Sequence, residues 1–280
     1  MKLKDILAAE YKNVYSKTIL SLAKTENNET IEKIISLWTT VRKKDKQIPI
    51  TYVREDATLY NRFLQAVTNE NLAYTQEDIT LFSIKTEEYI GTDMHSYIGQ
   101  MLSALVNFHH QKTNTNTEYV LVTEHLQEKL LFLCKDNSAN VLVQGNAGYG
   151  ACGYMREGNV RITGNTLNPM GVNLISGTIE IFGDANDIGP SMKSGKIIVH
   201  KNASYVGNNM EGGMIVIHKN ASCVGREMKN GTIIINGNID DAIGKDMTGG
   251  EIYVNGENCI ISDSIKGGDI YHKGTKVYSK

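Results

Sequence analysis

The stretch Gly207-Asn208-Asn209-Met210-Glu211-Gly212-Gly213-Met214-Ile215-Val216-Ile217 returns 18 residues later as Gly225-Arg226-Glu227-Met228-Lys229-Asn230-Gly231-Thr232-Ile233-Ile234-Ile235. Both copies read Gly-x-x-Met-x-x-Gly-x-Ile-x-Ile. The Ile-x-Ile alternation, built from β-branched residues, is the pattern of a short strand with one buried face. Along the chain, the second glycine recurs as Gly158, Gly177, Gly195, Gly213, Gly231, Gly250 and Gly268, in steps of 19, 18, 18, 18, 19 and 18 residues. Two positions after each lie Val160, Ile179, Ile197, Ile215, Ile233, Ile252 and Ile270; three positions before lie Met155, Leu174, Met192, Met210, Met228, Met247 and Ile265. Such a fixed period marks a repeat architecture.

A lone strand of this length cannot bury its apolar face. Stacked in register at about 4.8 Å per coil, the strands bury a continuous ladder. The unit is too short for a propeller blade, and no helical pattern separates the strands, which excludes leucine-rich and ankyrin arrays. The expectation is a single-stranded parallel β-helix of seven to eight coils. The uneven apolar spacing within a unit favours the right-handed form over a left-handed hexapeptide helix. Val141 and Val143 match an earlier unit, and Val120 with Val122 resembles the start of one more. Glycines after the strands (Gly164, Gly183, Gly237, Gly256) are expected at positive φ in sharp turns. The polar residues that come next, Asn146, Asn165, Asp184, Asn202, Asn220 and Asn238, are placed to bond from coil to coil. Ala147, Ala185, Ala203 and Ala221 suit a tight interior corner.

The 26 glycines divide the 280-residue chain, because Gly91 and Gly99 alone precede position 145. The first part reads as helical. Apolar residues recur at three- and four-residue spacing over 3–24, from Ile31 to Val41, from Leu59 to Val67 and from Met94 to Val106. Ile79 to Ile84 fits a short helix or a strand. His109-His110 reads as a solvated helix end, and Arg42-Lys43-Lys44 as a solvated basic face. The domain division is therefore 1–117, helical with a polar linker, and 118–280, β-helix with clear repeats over 139–272: an α+β, multidomain chain. The open ends of a β-helix are unpaired edges. The helical domain is expected to cap the first coil, and Tyr271 to Lys280 the last.

The best-matched units resemble the glycine-rich GXGXG β-helix. That family includes the C-terminal domain of the glutamate synthase large subunit and most of one subunit of formylmethanofuran dehydrogenase. The resemblance covers roughly half of the chain. It implies a scaffold whose partners, not the β-helix itself, carry the redox and amidotransferase chemistry. It brings no catalytic residue with it.

The net charge of −2 excludes a broad electrostatic nucleic-acid binder. No long apolar run suggests a membrane span or signal peptide, so a cytoplasmic location is expected. Cys134, Cys152, Cys223 and Cys259 lack zinc-ligand spacing and read as free thiols. Gly148-Tyr149-Gly150-Ala151-Cys152-Gly153 matches G-x-G-x-x-G, but the next stretch, 156–162, reads as another coil rather than a helix. These are read as turn glycines, with no pyrophosphate site. The methionine column reads as core rather than as copper ligands. No cofactor and no metal are expected. The sharpest candidate site is His200, Lys201, His218 and Lys219, which share repeat positions in neighbouring coils; two stacked lysines would gain from an anion between them. The reading is a non-catalytic scaffold that docks protein partners, with a homo-oligomer possible. Its alternatives are a structural subunit of an oxidoreductase complex and an autonomous anion-binding β-helix.

Overall fold

The computed structural model describes residues 28–43, 57–89 and 95–280. The helix expected over 3–24, Lys44, Pro49 and Met94 lie outside the described residues. Four helices open the described chain: α1 (Glu29–Lys43), α2 (Ala57–Glu70), α3 (Gln76–Lys85) and α4 (His95–Thr113). Thirteen strands come after them. β1 (Tyr119–Val122), β2 (Val141–Gln144), β3 (Asn159–Ile162), β4 (Thr178–Ile181), β6 (Lys196–Val199), β8 (Met214–Ile217), β10 (Thr232–Ile235), β11 (Thr248–Val254) and β12 (Gly267–His272) stack in parallel as one long sheet. β5 (Ala185–Ile188), β7 (Ala203–Val206) and β9 (Ala221–Val224) form a second, shorter wall, and β13 (Thr275–Ser279) closes the chain.

This is a parallel β-solenoid of about nine turns, which corrects the expected seven to eight. The additional turn begins at β1, whose Tyr119 pairs in register with Val141. The faint start seen at Val120 and Val122 is a full coil. Its outward residues are covered by helices, so it lacks the alternating pattern of the later coils: Tyr119 to Val122 are all buried.

The core is a set of columns. Val141, Val160, Ile179, Ile197, Ile215, Ile233, Ile252 and Ile270 lie opposite one another along the rod, each 0% exposed. Met155, Met192, Met210, Met228 and Met247 form a second column, also fully buried. At about 25 cal/mol per Å² of apolar surface, these columns are the main source of stability. Ala147, Ala185, Ala203 and Ala221 occupy buried corners, as their size suggested.

Glycine does two jobs here. The anchor glycines Gly158, Gly177, Gly195, Gly213, Gly231, Gly250 and Gly268 sit at φ between 76° and 98°, where an L residue is strained. They also floor the methionine column: a Cβ on Gly213 would lie 2.5 Å from Met192 Cε, and one on Gly250 would lie 2.6 Å from Met228 Cε. The glycines after the strands differ. Gly164, Gly183, Gly237 and Gly256 are not among the positive-φ residues, which corrects the expected turn geometry. They are small because coils approach closely there; a Cβ on Gly164 would meet Gly145 O at 2.6 Å.

The polar ladder forms as expected. Asn165 N donates to Asn146 Oδ1 (2.8 Å), Asp184 N to Asn165 Oδ1 (2.8 Å), Asn202 N to Asp184 Oδ1 (3.0 Å), Asn220 N to Asn202 Oδ1 (3.3 Å) and Asn238 N to Asn220 Oδ1 (3.0 Å). Each side chain accepts from the next coil, so the acceptor oxygen matters more than the amide. Asn220→Ala is expected to cost about 0.5–1.5 kcal/mol and Asn220→Asp much less, read as urea midpoints. Equal losses would deny the ladder this role.

The first coil is capped by the helices. α3 lies along β1: Thr80 Oγ1 donates to Val120 O (2.8 Å), and Val122 N donates to Ser83 Oγ (2.9 Å). Both bonds occupy groups at the solenoid's open end. In α4, Ser103 Oγ donates to Phe132 O (3.1 Å), and Asn107 Nδ2 donates to Lys135 O (3.1 Å). Ile79 to Ile84 is therefore helical. Thr75 and Asp78 form a capping box at its start, and Asp78 to Lys85 are buried on every side, which erased the amphipathic period. The solvated helix end expected at His109-His110 is corrected as well. α4 runs to Thr113, His109 Nδ1 lies 2.7 Å from Tyr119 OH, and burial holds the His109 imidazole below its ordinary pKa. At the other end β13 pairs antiparallel with β12 and covers the last parallel edge.

Candidate interaction surface

Every second residue of the long sheet points outward. Register places Arg161, Glu180, Ile198, Val216, Ile234, Tyr253 and Tyr271 in one outward column. The column changes character along the rod. At its start, Arg161 grips Glu118 through Nε (3.0 Å) and Nη2 (2.7 Å) in a bidentate pair. In the middle, Ile198, Val216 and Ile234 are half-buried, with Met214 beside them. At its end, Tyr253 and Tyr271 stack at 4.4 Å and 5°. Tyr253 donates to Glu251 Oε2 (3.1 Å); burial first, and then that carboxylate, raise its phenol pKa. Lys276 lies 5.2 Å from the Tyr271 ring and pairs with Asp269 at 2.8 Å.

The predicted His/Lys site borders this face. The residues just after the strands stack as a ladder: Phe182 on His200 at 4.6 Å and 7°, and His200 on His218 at 5.0 Å and 24°. Asn236 Nδ2 then contacts His218 Nδ1 at 3.2 Å, and Asn255 Nδ2 donates to Asn236 Oδ1 at 3.0 Å. The equivalence of His200 and His218 thus holds in space. His200, however, already faces an anion, since its Nε2 lies 2.8 Å from Glu180 Oε1. Lys201 and Lys219 are exposed, and among the described residues neither makes an ion pair. The structure brings the two histidines together and leaves the lysines to solvent. Phe182 and Glu180, which complete the cluster, were not selected from sequence; Phe182 shares the repeat position of His200, whereas Glu180 lies in the neighbouring outward column and carried no such signal.

Gly150 and Gly153 lie in turns, and the next element is β3 rather than a helix. Among the described residues no helix starts directly after them, where a pyrophosphate-binding fingerprint would need one. All four cysteines are free thiols, Cys134 and Cys152 buried and Cys223 and Cys259 partly exposed. Cys134 and Cys152 continue the column of Gly171, Gly189, Gly207, Gly225 and Gly244: Cys152 N bonds to Leu133 O as Gly171 N bonds to Ala151 O. Burial, and then the neighbouring Cys134, push the Cys152 thiol pKa well up. Among the described residues no helix is long and apolar enough to cross a membrane. No protein-family model matches the chain, and no curated protein sequence does.

Proposed function

We propose that the chain is a non-catalytic scaffold that docks a partner protein on the outer face of its long sheet. The observation that carries this reading is the row Ile198, Val216 and Ile234, held half-exposed on strands whose inner faces are locked into the core. A rigid wall presents apolar side chains at low ordering cost, and the stacked tyrosines supply the aromatic anchors common at interfaces. The resemblance to GXGXG β-helices supports the same reading, with the right-handed winding that the uneven apolar spacing favours, and a narrower form of it: a partner that belongs to an oxidoreductase complex. The test is affinity capture of the full chain from its native host, beside Val216→Glu/Ile234→Glu. The expected result is one stoichiometric partner, identified by mass, that the double variant loses. Recovery of the chain alone, or of a second copy of itself at this face, overturns the reading.

A second reading rests on Lys201 and Lys219, exposed on adjacent coils without ion pairs among the described residues. They form an anion site, with Glu180 directing the anion away from His200. Inorganic phosphate is expected to raise the melting temperature of the wild type and not that of Lys201→Ala/Lys219→Ala. Equal shifts remove the site.

A further inference from the structure

Five successive coils carry glycine at one corner: Gly171, Gly189, Gly207, Gly225 and Gly244, at φ between 63° and 72°. The corner faces inward, since a Cβ on Gly171 would meet Cδ1 of Ile179 and of Ile197 at 3.1 Å. The two coils before them carry cysteine there, Cys134 at 59° and Cys152 at 56°. Cys152 N bonds to Leu133 O and Asp136 N to Gly153 O, so the two cysteines stand in register on adjacent coils. They are 3% and 0% exposed. A third sulfur belongs to the same corner. A Cβ built on Gly189, Gly207, Gly225 or Gly244 would lie 3.4, 3.4, 3.8 or 3.5 Å from Sδ of the methionine three residues on. Cys152 and Met155 hold those positions with the Cβ in place, and Met155 Cε lies under Gly177 as Met192 Cε lies under Gly213. One coil earlier Asn137 takes the methionine's place: Arg156 N bonds to Asn137 O as Ile175 N bonds to Met155 O. Asn137 is 1% exposed, and its Oδ1 is buried without a hydrogen-bond partner. An orphaned acceptor in an apolar core calls for a partner. The corner thus gathers two thiols, a thioether and a lone amide oxygen.

We infer that Cys134, Cys152 and Met155 bind one soft monovalent metal ion, Cu(I), between two thiolates with the thioether as third ligand. Soft sulfur donors select Cu(I). Zinc sites take three or four donors from Cys, His, Asp and Glu, and among the described residues no three of these gather. Spacing separates a metal site from a disulfide. Side chains in register on adjacent coils keep their Cβ atoms about 4.8 Å apart, wider than the mean of about 3.8 Å across a disulfide. Two metal–sulfur bonds of about 2.3 Å each span that interval. Burial keeps the Cys152 thiol protonated. Each thiol therefore gives up its proton as its bond to the metal forms, and one Cu(I) releases two protons. The route in is a cavity of about 150 Å³, lined by Phe132, Tyr149 and Tyr154 and by Lys135 and Gly153, the residues next to the two cysteines. Lys135 takes no part in ligation; its ammonium lies 5.8 Å from both the Phe132 and the Tyr154 ring centroids. Met192, Met210, Met228 and Met247 have glycine beside them rather than a thiol, and remain core residues. The site lies inside the first two coils and stands independently of the docking reading.

The probe is Cu(I) held by bicinchoninate under anaerobic, reducing conditions and titrated into the full chain. The expected result is one Cu(I) taken from the chelator per chain, with sulfur neighbours in its X-ray absorption spectrum. Cys134→Gly/Cys152→Gly restores the residue of the later coils, so the circular-dichroism signal is expected to persist while Cu(I) uptake is lost. Met155→Leu, which copies Leu174 of the next coil, is expected to weaken Cu(I) by about 10–100-fold. Cys223→Ser/Cys259→Ser, at the partly exposed thiols, is expected to bind as the wild type does. Zn(II) is expected not to compete. Any of four results overturns the inference: no uptake by the wild type, undiminished uptake by both Cys134→Gly/Cys152→Gly and Met155→Leu, loss of uptake in Cys223→Ser/Cys259→Ser, or a Cys134–Cys152 disulfide formed in place of the complex. Displacement by Zn(II) overturns the assignment to a soft monovalent ion.

Discussion

Gly213→Val is expected to destabilise the protein by about 3–5 kcal/mol, the sum of a left-handed backbone imposed on a β-branched residue and overpacking of the core. The residue sits at φ 85°, and its added Cβ would lie 2.5 Å from Met192 Cε and 2.8 Å from Gly195 O. The contact with backbone Gly195 O cannot relax cheaply, and the Met192 methyl, the end of a flexible side chain, can give way only within the core. Met192 is fully buried, and Gly195 O is the acceptor for Met214 N in the coil ladder. Gly274→Val is the matched control: its φ is 77°, but nothing lies within 4 Å of the added Cβ. The control therefore reports backbone strain without collision. Met192→Ala in the Gly213→Val background is expected to recover part of the steric share, since it removes the methyl that is struck. Urea midpoints measure all three. If Gly213→Val is no worse than Gly274→Val, the methionine and glycine columns are not coupled as described.

The second large effect is alkaline. Burial pushes the Tyr60 and Tyr119 phenols up to about 12, and burial also raises Tyr74. Tyr60 is 4% exposed and Tyr119 0%, and all three belong to the helical cap or the coil it covers. In the unfolded chain these phenols ionise near an ordinary pKa of about 10, while the folded cap keeps them protonated. Above pH 10 the unfolded state therefore binds fewer protons, and stability falls as pH rises. The stabilisation is fully present below about pH 10 and is lost toward about pH 12, at up to about 1.4 kcal/mol per pH unit for each phenol. The expected result is loss of the helical circular-dichroism signal within that window while the β signal persists. Tyr119→Phe should flatten the slope. Simultaneous loss of both signals would show that cap and solenoid are one cooperative unit.

Legibility differed between the two parts of the chain for a physical reason. In the later coils each outward residue meets water and each inward one meets the core, so Ile215, Val216 and Ile217 spell their burial directly. β1 and α3 are covered on several sides, so burial there left no period to read. For glycine, sequence marked the positions but not their causes. Gly158 and Gly164 look alike in the repeat, yet one needs positive φ and the other needs close approach. The site was legible to the same degree. Repeat position predicted the His200–His218 stack, but it could not reveal Glu180, which reaches His200 from the preceding coil.

The solenoid, its period, its buried columns and its asparagine ladder are all written in the sequence, because a repeat states the same local physics many times over. The number of turns, the particular contacts that close the ends and the place where a cavity opens are settled only in three dimensions. Those features depend on non-repeating contacts: α3 on β1, β13 on β12, and Lys135 lodged between rings from successive coils. Each is made once, between parts of the chain that no shared period relates, and no local pattern records it.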